Sequence, residues 1–270
     1  MTQANNALYA ALDHPDVSRS IFHPRATPGG PDANAGEHLI EVAPGVHVGS
    51  RFHLCDRSGA NILFFHGNGE IVADYDELAP LYTALGINFL VFDYRGYGRS
   101  NGRPTVSAMM SDCHQLYTYT AGWLAANGYA GPTILMGRSL GSASALELAA
   151  AFPQDVDGLI IESGFAFAEP LLQLLGVDVN RIGFNERRGF GNLEKIARYT
   201  GPTLIIHAEY DHIIPYSDGQ ALLKASQSPQ KRLVRIENAN HNDIFFVGMN
   251  VYMQAVREFI EGLALSGQQV

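Results

Sequence analysis

The feature that most constrains the fold of this sequence is a regular alternation of short apolar runs with segments of helical periodicity. Apolar runs such as ILFF at 62–65 and TILM at 133–136 are each followed by a stretch in which apolar side chains recur at helical spacing. Strands that alternate with helices of about 10 to 20 residues favour a mainly parallel sheet with helices on both faces. Two earlier runs, HLIEV and VHVGSRFHL, are joined by a Pro-Gly turn and predict antiparallel strands at the N-terminal edge. The pattern therefore predicts an α/β fold with a central sheet of about eight strands.

The length of 270 residues suits one α/β domain, and the rhythm changes at two places. Residues 1–36 are rich in Pro, Gly, Asp and Asn, and predict an extended N-terminal extension ahead of a domain over residues 37–265. Residues 163–191 interrupt the alternation with the apolar FAFAEPLLQLLG and the polar NERRGFGN. This segment predicts a small cap that shapes the substrate site, and an ordinary core helix with a surface loop is the alternative.

The charge balance argues against several classes of partner. The formal net charge is −9, and lysine and arginine form no block. Nucleic acid and anionic membrane surfaces require a basic face, so both are disfavoured. No apolar stretch approaches the ~20 residues of a membrane helix, and the N-terminus lacks the basic start and apolar core of a secretory signal. The two cysteines, Cys55 and Cys113, are far apart and form no disulfide framework, so the sequence predicts a cytoplasmic protein without a membrane span.

A serine between two glycines stands where a strand gives way to a helix. The pentapeptide Gly137-Arg138-Ser139-Leu140-Gly141 follows the apolar run TILM and precedes SASALELAA. So tight a turn between strand and helix needs small neighbours and projects the serine hydroxyl clear of the sheet. The motif and its context predict Ser139 as a nucleophile. The alternative is that the small residues only let the strand and the helix pack closely.

A serine nucleophile requires a base, and the base requires a carboxylate that orients it. In this architecture the acid follows the nucleophile in the sequence and the histidine comes last. His241 lies in a loop between a strand and the last helix, which predicts it as the base. Asp211 follows the strand TLIIHA and is the predicted acid, with Glu209 as the alternative. Asp243 is too close to His241 in sequence to face its ring comfortably.

Acyl transfer also needs N–H donors for the oxyanion. Leu140 directly follows the nucleophile at the start of a helix, so its N–H is one predicted donor. The glycine-rich HGNGE at 66–70 follows a buried strand, and the N–H of Asn68 is the second predicted donor. His66 is interpreted as a structural hydrogen-bonding residue. The alternative for this loop is an ordinary turn between strand and helix.

A metal site built from His207, Asp211, His212 and His241 is a further alternative. The four residues lack a recognisable ligand spacing, and the predicted triad already employs two of them. The sequence therefore predicts neither a metal nor a cofactor.

Together these motifs resemble the α/β-hydrolase superfamily, and within it the BEM46-like serine hydrolases, which are related to the α/β-hydrolase domain proteins that remove acyl groups. The matching segments cover roughly residues 37–262 and are FFHGNGE, FDYRGYGRSNGRPT, GRSLGSA, PTLIIHAEYDHIIP and NHND. The resemblance implies the triad and oxyanion donors given above, and it places Tyr94, Arg95 and Gly96 near the site. Many relatives begin with a membrane-spanning helix, which this sequence does not show, so a membrane-bound role is not carried over. Many also have glycine where Asn240 precedes the histidine.

These observations predict a serine hydrolase that cleaves a carboxylic ester or thioester of a small molecule through an acyl-enzyme. Tyr94 and Arg95, from the resemblance, and Phe165 and Phe167, from the apolar cap segment, are the predicted substrate contacts. Arg138 is interpreted as a structural salt bridge, with contact to an anionic substrate as the alternative. The other functional hypotheses are an acyl-protein thioesterase, a peptidase, and a non-catalytic binding module, which would have an incomplete triad.

Overall fold

The computed structural model describes residues 9–27 and 36–266, and eight strands of this part of the chain form one sheet. The strands are β1 (Glu37–Ala43), β2 (Val46–His53), β3 (Asn61–Phe65), β4 (Asn88–Phe92), β5 (Thr133–Arg138), β6 (Gly158–Glu162), β7 (Thr203–Ala208) and β8 (Lys231–Ile236). The helices are α1 (Pro15–Ile21), α2 (Ala79–Thr83), α3 (Val106–Ala126), α4 (Ser142–Ala151), α5 (Ala168–Leu174), α6 (Asn192–Arg198), α7 (Tyr216–Ala225) and α8 (Ile244–Ser266).

The strand order in the sheet is β1-β2-β4-β3-β5-β6-β7-β8. β1 pairs with β2 and β2 pairs with β4 in antiparallel register, whereas the neighbours from β4 to β8 are parallel. The mostly parallel sheet with an antiparallel N-terminal edge confirms the predicted fold class. Because parallel strands end on the same side, the loops that follow β3, β5, β7 and β8 meet at one edge of the sheet.

Both faces of the sheet are buried, because the side chains of a strand point alternately to opposite faces. In β3, Leu63 and Phe65 belong to the apolar cluster that includes α3 and α4, whereas Ile62 and Phe64 belong to the cluster that includes α8. All five residues of β3 are buried. This burial on two sides explains why the central strands are continuous apolar runs in the sequence.

The stretch EIVADYDELAPLYTALG, which follows the run ILFF and has apolar side chains at helical spacing, contains a 3-10 turn at Val72–Tyr75 and the short helix α2. The first turn is held by the carboxylate of Asp74, which accepts a hydrogen bond from the N–H of Ile71 at 2.9 Å. Pro80 lies at the start of α2 and has no N–H with which to continue a preceding helix. The two pieces therefore remain separate.

The N-terminal segment differs from the extended lead-in that its composition predicted. The described part contains α1, in which Pro15 occupies the first turn and the side chain of His14 accepts a hydrogen bond from the N–H of Asp16. Tyr9, Leu12, Val17, Ile21 and Phe22 are buried. Val17 and Ile21 lie four positions apart on the same face of α1, which is a helical signal that the abundance of Pro, Gly and Asn concealed.

A third apolar cluster lies beyond the carboxyl ends of the strands. It joins side chains of the N-terminal segment to Leu140, Phe165 and residues of the 163–191 segment, which forms α5 and a 3-10 turn at Glu186–Arg188. Two segments far apart in the sequence thus cover the edge where the strands end. Among the helices described, none has the length and apolar character needed to cross a membrane.

Candidate active site

Ser139 lies in the turn between β5 and α4, where its backbone φ is 50°. This left-handed conformation is costly for a residue with a side chain and persists only where the surroundings impose it. A Cβ on Gly137 would lie 2.3 Å from the carbonyl oxygen of Gly141, and a Cβ on Gly141 would lie 2.0 Å from the carbonyl oxygen of Phe65. Close packing, the alternative interpretation of the motif, is therefore present, and it is also what holds Ser139 in its strained turn.

Three side chains from three loops meet at this turn. Oγ of Ser139 is 2.9 Å from Nε2 of His241, and Nδ1 of His241 is 2.7 Å from Oδ2 of Asp211. Ser139 follows β5, Asp211 follows β7 and His241 follows β8. The shared edge of the sheet thus brings together the residues that the sequence predicts as nucleophile, acid and base.

The carboxylate of Asp211 is held on both of its oxygens. While Oδ2 faces His241, Oδ1 accepts hydrogen bonds from the N–H groups of Ile213 at 3.0 Å and Ile214 at 2.8 Å. Burial alone would raise the pKa of Asp211, but these hydrogen bonds, first among them the one from His241, lower the pKa below its usual value. An ionised Asp211 requires a proton on Nδ1 of His241, which leaves Nε2 free to accept the proton of Ser139.

The alternative acids have other partners. Glu209 accepts a hydrogen bond from the N–H of Asn238 at 3.0 Å. Asp243 accepts hydrogen bonds from both the backbone and the side chain of Asn240, at 2.7 and 2.5 Å. Both carboxylates therefore shape the turns around β8, and Asp211 is the carboxylate that His241 contacts.

The histidines named for a metal site do not form one in the described residues. Nε2 of His207 donates to the carbonyl oxygen of Ile214 at 2.9 Å, and the ring is fully buried behind Asp211. His212 is exposed. Across residues 9–27 and 36–266, no cluster of three or more His, Cys, Asp or Glu side chains is arranged to hold a metal ion.

Arg138, directly before the nucleophile, is a structural residue rather than an exposed anion contact. Its Nε donates to Glu70 at 2.8 Å, its Nη1 donates to Glu162 at 3.2 Å, and its Nη2 donates to the carbonyl oxygen of His241 at 3.1 Å. Burial would lower the pKa of Arg138, but the two carboxylates raise it above the usual range. One guanidinium therefore joins the end of β5 to the loop that carries His241.

Glu70 and Glu162 are supporting residues that the sequence did not reveal. Oε2 of Glu70 accepts hydrogen bonds from the N–H of Gly67 at 2.7 Å and the hydroxyl of Tyr75 at 2.6 Å. Burial would raise the pKa of Glu70, but Arg138 and these donors lower it. Oε2 of Glu162 accepts from a tyrosine hydroxyl of α8 at 2.6 Å, and burial raises its pKa. The loop after β3 is thereby fixed to the same cluster.

The two predicted oxyanion donors, Asn68 and Leu140, both line the cavity that contains Ser139. The side chain of Asn68 points elsewhere, since its Oδ1 accepts from the hydroxyl of Tyr97 and from the N–H of His23, both at 2.9 Å. His66 is buried, with Nε2 at 3.2 Å from Asp93. His66 thus has the structural role expected of it.

The cavity above Ser139 has a volume of about 150 Å³ and walls that are mostly apolar. Its apolar lining consists of Ile21, Leu140, Phe165, Ala168, Leu171, Leu172, Leu175, Phe190 and Ile213. Its polar lining consists of Gly67, Asn68, Glu70, Arg138, Ser139, His241 and Asn242. The apolar side chains come from the 163–191 segment, from α1 and from the loops after β5 and β7. An apolar chamber with its polar groups gathered around one serine suits an acyl group.

Of the four predicted substrate contacts, the structure brings one into this cavity. Phe165 lines it, whereas Phe167 is 39% exposed and lies outside the lining. Tyr94 is buried and donates to the carbonyl oxygen of His66 at 2.6 Å. Arg95 forms two 2.7 Å hydrogen bonds with Asp112 of α3. Through these hydrogen bonds Tyr94 and Arg95 hold the loop after β4 in place. Their polar groups are engaged by the protein and not turned toward the cavity.

The sequence of this chain is similar to two family models and to several known proteins. The family model described as "Serine aminopeptidase, S33" matches residues 56–181, and the model described as "alpha/beta hydrolase fold" matches residues 183–246. Alpha/beta hydrolase domain-containing protein 17B of Xenopus tropicalis is 30% identical over 237 residues, which cover 82% of this chain and 74% of the relative. An uncharacterized protein of Mycobacterium tuberculosis is 29% identical over 261 residues, which cover 93% of this chain and 89% of the relative.

A solved structure shares the fold at lower sequence identity. Est1E from Butyrivibrio proteoclasticus, with ferulic acid bound, superposes with a TM-score of 0.70 at 18% identity and covers 84% of this chain and 99% of its own. At this identity the likeness concerns the arrangement of strands and helices.

Proposed function

Because this chain belongs to the α/β-hydrolase family and is a hydrolase, we propose that it cleaves a carboxylic ester or thioester through an acyl-enzyme on Ser139. The observation that carries this proposal is the pair of hydrogen bonds in series, 2.9 Å from Ser139 to His241 and 2.7 Å from His241 to Asp211. A hydroxyl becomes an effective nucleophile when a neighbouring base accepts its proton, and this arrangement supplies the base already oriented.

In the proposed reaction Nε2 of His241 takes the proton of Ser139 as Oγ attacks the acyl carbonyl carbon. The resulting imidazolium is stabilised by the ionised Asp211, and it then protonates the leaving alcohol or thiol. Water attacks the acyl-enzyme in the second half, with His241 again accepting and returning the proton. The net reaction is hydrolysis, in which water supplies the hydroxyl of the released acid and the hydrogen of the leaving group.

The N–H groups of Asn68 and Leu140 are the proposed donors to the oxyanion. Leu140 lies in the 3-10 turn Ser139–Gly141 that leads into α4, where backbone N–H groups lack helical partners. Asn68 lines the same cavity, in the loop that Glu70 fixes through Gly67. Removal of one such donor typically lowers turnover by ~10²–10³-fold.

The cavity favours an ester or thioester over the peptide substrate that an aminopeptidase would take. Recognition of a free amino terminus needs an available carboxylate, and the carboxylate of the cavity lining is that of Glu70. Glu70 is already engaged by Arg138, Gly67 and Tyr75. The apolar walls instead match an acyl chain, whether it is attached to a small alcohol or to a protein thiol.

The test is covalent labelling with a fluorophosphonate probe, which reacts with an activated serine. We expect the wild-type protein to be labelled and Ser139→Ala to show no labelling, while Ser144→Ala, which removes a buried hydroxyl of α4, is labelled like wild type. Hydrolysis of p-nitrophenyl esters of increasing chain length then measures acyl preference. Labelling that persists in Ser139→Ala is the result that rejects the proposal.

A further inference from the structure

The N-terminal segment, residues 9–27, is attached to the rest of the molecule through contacts at three places. Oδ1 of Asp13 accepts a hydrogen bond from the N–H of Ser107 at 2.9 Å, in the first turn of α3. Asp16 of α1 forms an ion pair with Arg181 of the 163–191 segment. Ala26 forms a parallel bridge with Gly98 of the loop after β4. The segment is therefore bound to the elements that surround the cavity.

One side chain of α1 reaches the cavity itself. Ile21 is 4% exposed and lines the chamber together with Leu171, Leu172 and Leu175 of the α5 region. Val17, one turn earlier on the same helix, is completely buried in the same apolar cluster but is outside the cavity lining. The helix thus presents one residue to the chamber and another to the packing around it.

The chain just after α1 holds the loop that carries the proposed oxyanion donor. The backbone N–H of His23 donates to Oδ1 of Asn68 at 2.9 Å, and Nδ2 of Asn68 is 2.9 Å from Nδ1 of His23. Nε of Arg25 donates to the carbonyl oxygen of Gly69 at 2.7 Å, and Arg25 pairs with Asp74. Contacts on two consecutive residues leave the peptide planes of this loop little freedom to rotate.

We propose that residues 9–27 form a wall of the acyl-binding site, in which Ile21 limits the length of the acyl group and His23 positions the oxyanion loop. This inference rests on the proposed function and adds to it the part of the chain that determines specificity. Ile21 acts by filling space, since one methylene more or less in an apolar pocket changes discrimination by about 10-fold or more. His23 is a positioning residue, because it acts through Asn68.

The first experiment compares Ile21→Ala with Val17→Ala on p-nitrophenyl esters from acetate to dodecanoate. We expect Ile21→Ala to shift the maximum of kcat/KM toward longer chains, by about tenfold in the ratio of long to short ester, and Ile21→Phe to shift it toward shorter chains. Val17→Ala also truncates a buried aliphatic side chain of the same helix, by one carbon fewer than Ile21→Ala, and is expected to keep the wild-type order. Should Ile21→Ala fail to fold, Ile21→Val is expected to give a smaller shift in the same direction.

The fluorophosphonate probe measures the fraction of each variant that has a reactive serine. This separates a failure of the proposed nucleophile from a failure of the proposed wall. Proteins that are never labelled, wild type included, would reject the proposed nucleophile. Variants of Ile21 that are labelled normally and retain the wild-type order of esters would reject the wall. A shift of equal size in Val17→Ala would also reject it, because packing rather than the cavity would then set the preference.

The second experiment concerns His23. We expect His23→Ala to lower kcat by about tenfold with little change in KM, because the oxyanion is bound in the transition state and not in the ground state. His23→Asn, whose Oδ1 takes the place of Nδ1 as acceptor, is expected to restore most of the activity. An unchanged kcat in His23→Ala, or equal loss in both variants, would overturn the positioning role.

Discussion

Arg138 joins three parts of the site, although its sequence position shows only that it precedes the nucleophile. Its three hydrogen-bonding nitrogens reach Glu70, Glu162 and the carbonyl oxygen of His241. Arginine suits this role because its planar fork donates in several fixed directions, which the single ammonium of lysine does not. The position of the base relative to the nucleophile therefore depends on the side chain of Arg138.

We predict that Arg138→Lys lowers kcat by about tenfold to a hundredfold, since small displacements of a catalytic group have effects of that order. Steady-state kinetics with a short ester and chemical denaturation measure the change in kcat and in the free energy of unfolding. Arg51→Lys is the matched control, because Arg51 is also buried and pairs with two carboxylates, Glu37 and Asp76, at the far edge of the sheet. The control is expected to lose stability and keep its kcat. Equal loss of kcat in both variants would contradict the assignment.

At the residue scale, the order of motifs in the sequence predicts the three side chains that meet at the site. It does not predict the residues that support them, Glu70 and Glu162. Ser139 and Asp211 each follow a strand that is legible as an apolar run, and His241 follows the half-exposed strand β8, so their convergence is a consequence of the fold. Glu162 ends such a run too, but nothing in its neighbours indicates that Arg138 faces it across adjacent strands. A buried ion pair between distant residues adds no periodicity to the sequence. It becomes visible only when the pairing of the strands is known.

Among the elements, α4 is joined to its neighbours by one carboxylate. Glu147 accepts from Nε2 of His114 on α3 at 3.0 Å and pairs with Lys195 of α6 at 2.8 Å. Burial would raise the pKa of Glu147, but His114 and Lys195 together lower it from 4.5 to about 2. Because the folded state holds this carboxylate ionised, it stabilises the fold above pH 4.5, and the stabilisation is lost as the pH falls toward 2.

We predict that Glu147→Gln lowers the free energy of unfolding at pH 7 by up to roughly 3 kcal/mol. The difference from wild type is expected to shrink between pH 4.5 and pH 2, as measured by urea denaturation at several pH values. Glu258→Gln makes the same change in an ion pair with Arg232 at the surface, and there we expect little effect on stability. A loss for Glu147→Gln that does not depend on pH would show that packing, and not charge, is responsible.

The elements that sequence periodicity predicts well are those buried on two faces. The central strands were evident because each residue of β3, β4 and β6 is buried, so each strand is an apolar run with a single polar residue at one end. α1 was missed because it has only seven residues, and so short a helix is stabilised by tertiary contacts more than by its own propensity. The contacts that hold it and the turn before it involve residues about 90 to 170 positions away, such as Ser107 and Arg181.

For the molecule as a whole, the boundary predicted at residue 36 does not coincide with a boundary in packing. The third apolar cluster includes Tyr9, Leu12 and Ile21 beside Leu140 of the nucleophile turn. Residues on both sides of the boundary therefore share one buried core. Removal of the N-terminal segment exposes that core to water.

We predict that a chain lacking residues 1–27 unfolds at lower temperature than the full chain and binds a hydrophobic dye, because the apolar side of the 163–191 segment loses its cover. Thermal melts and dye fluorescence provide the measurement. A chain lacking residues 1–8 is the control, because it keeps each contact described for residues 9–27, and it is expected to behave as the full chain does. Equal stability of the two truncated proteins would show that the cluster survives without the segment.

The roof of the cavity comes from two stretches, residues 9–27 and 163–191, which lie before β1 and between β6 and β7. Neither stretch contributes a strand, so both can be replaced by other sequences without a change in the sheet. Replacing these stretches therefore changes which acyl groups the cavity accepts, while the strands of the sheet stay the same. The same separation lets the cavity diversify in evolution while Ser139, Asp211 and His241 stay in place, because none of the three lies in either stretch.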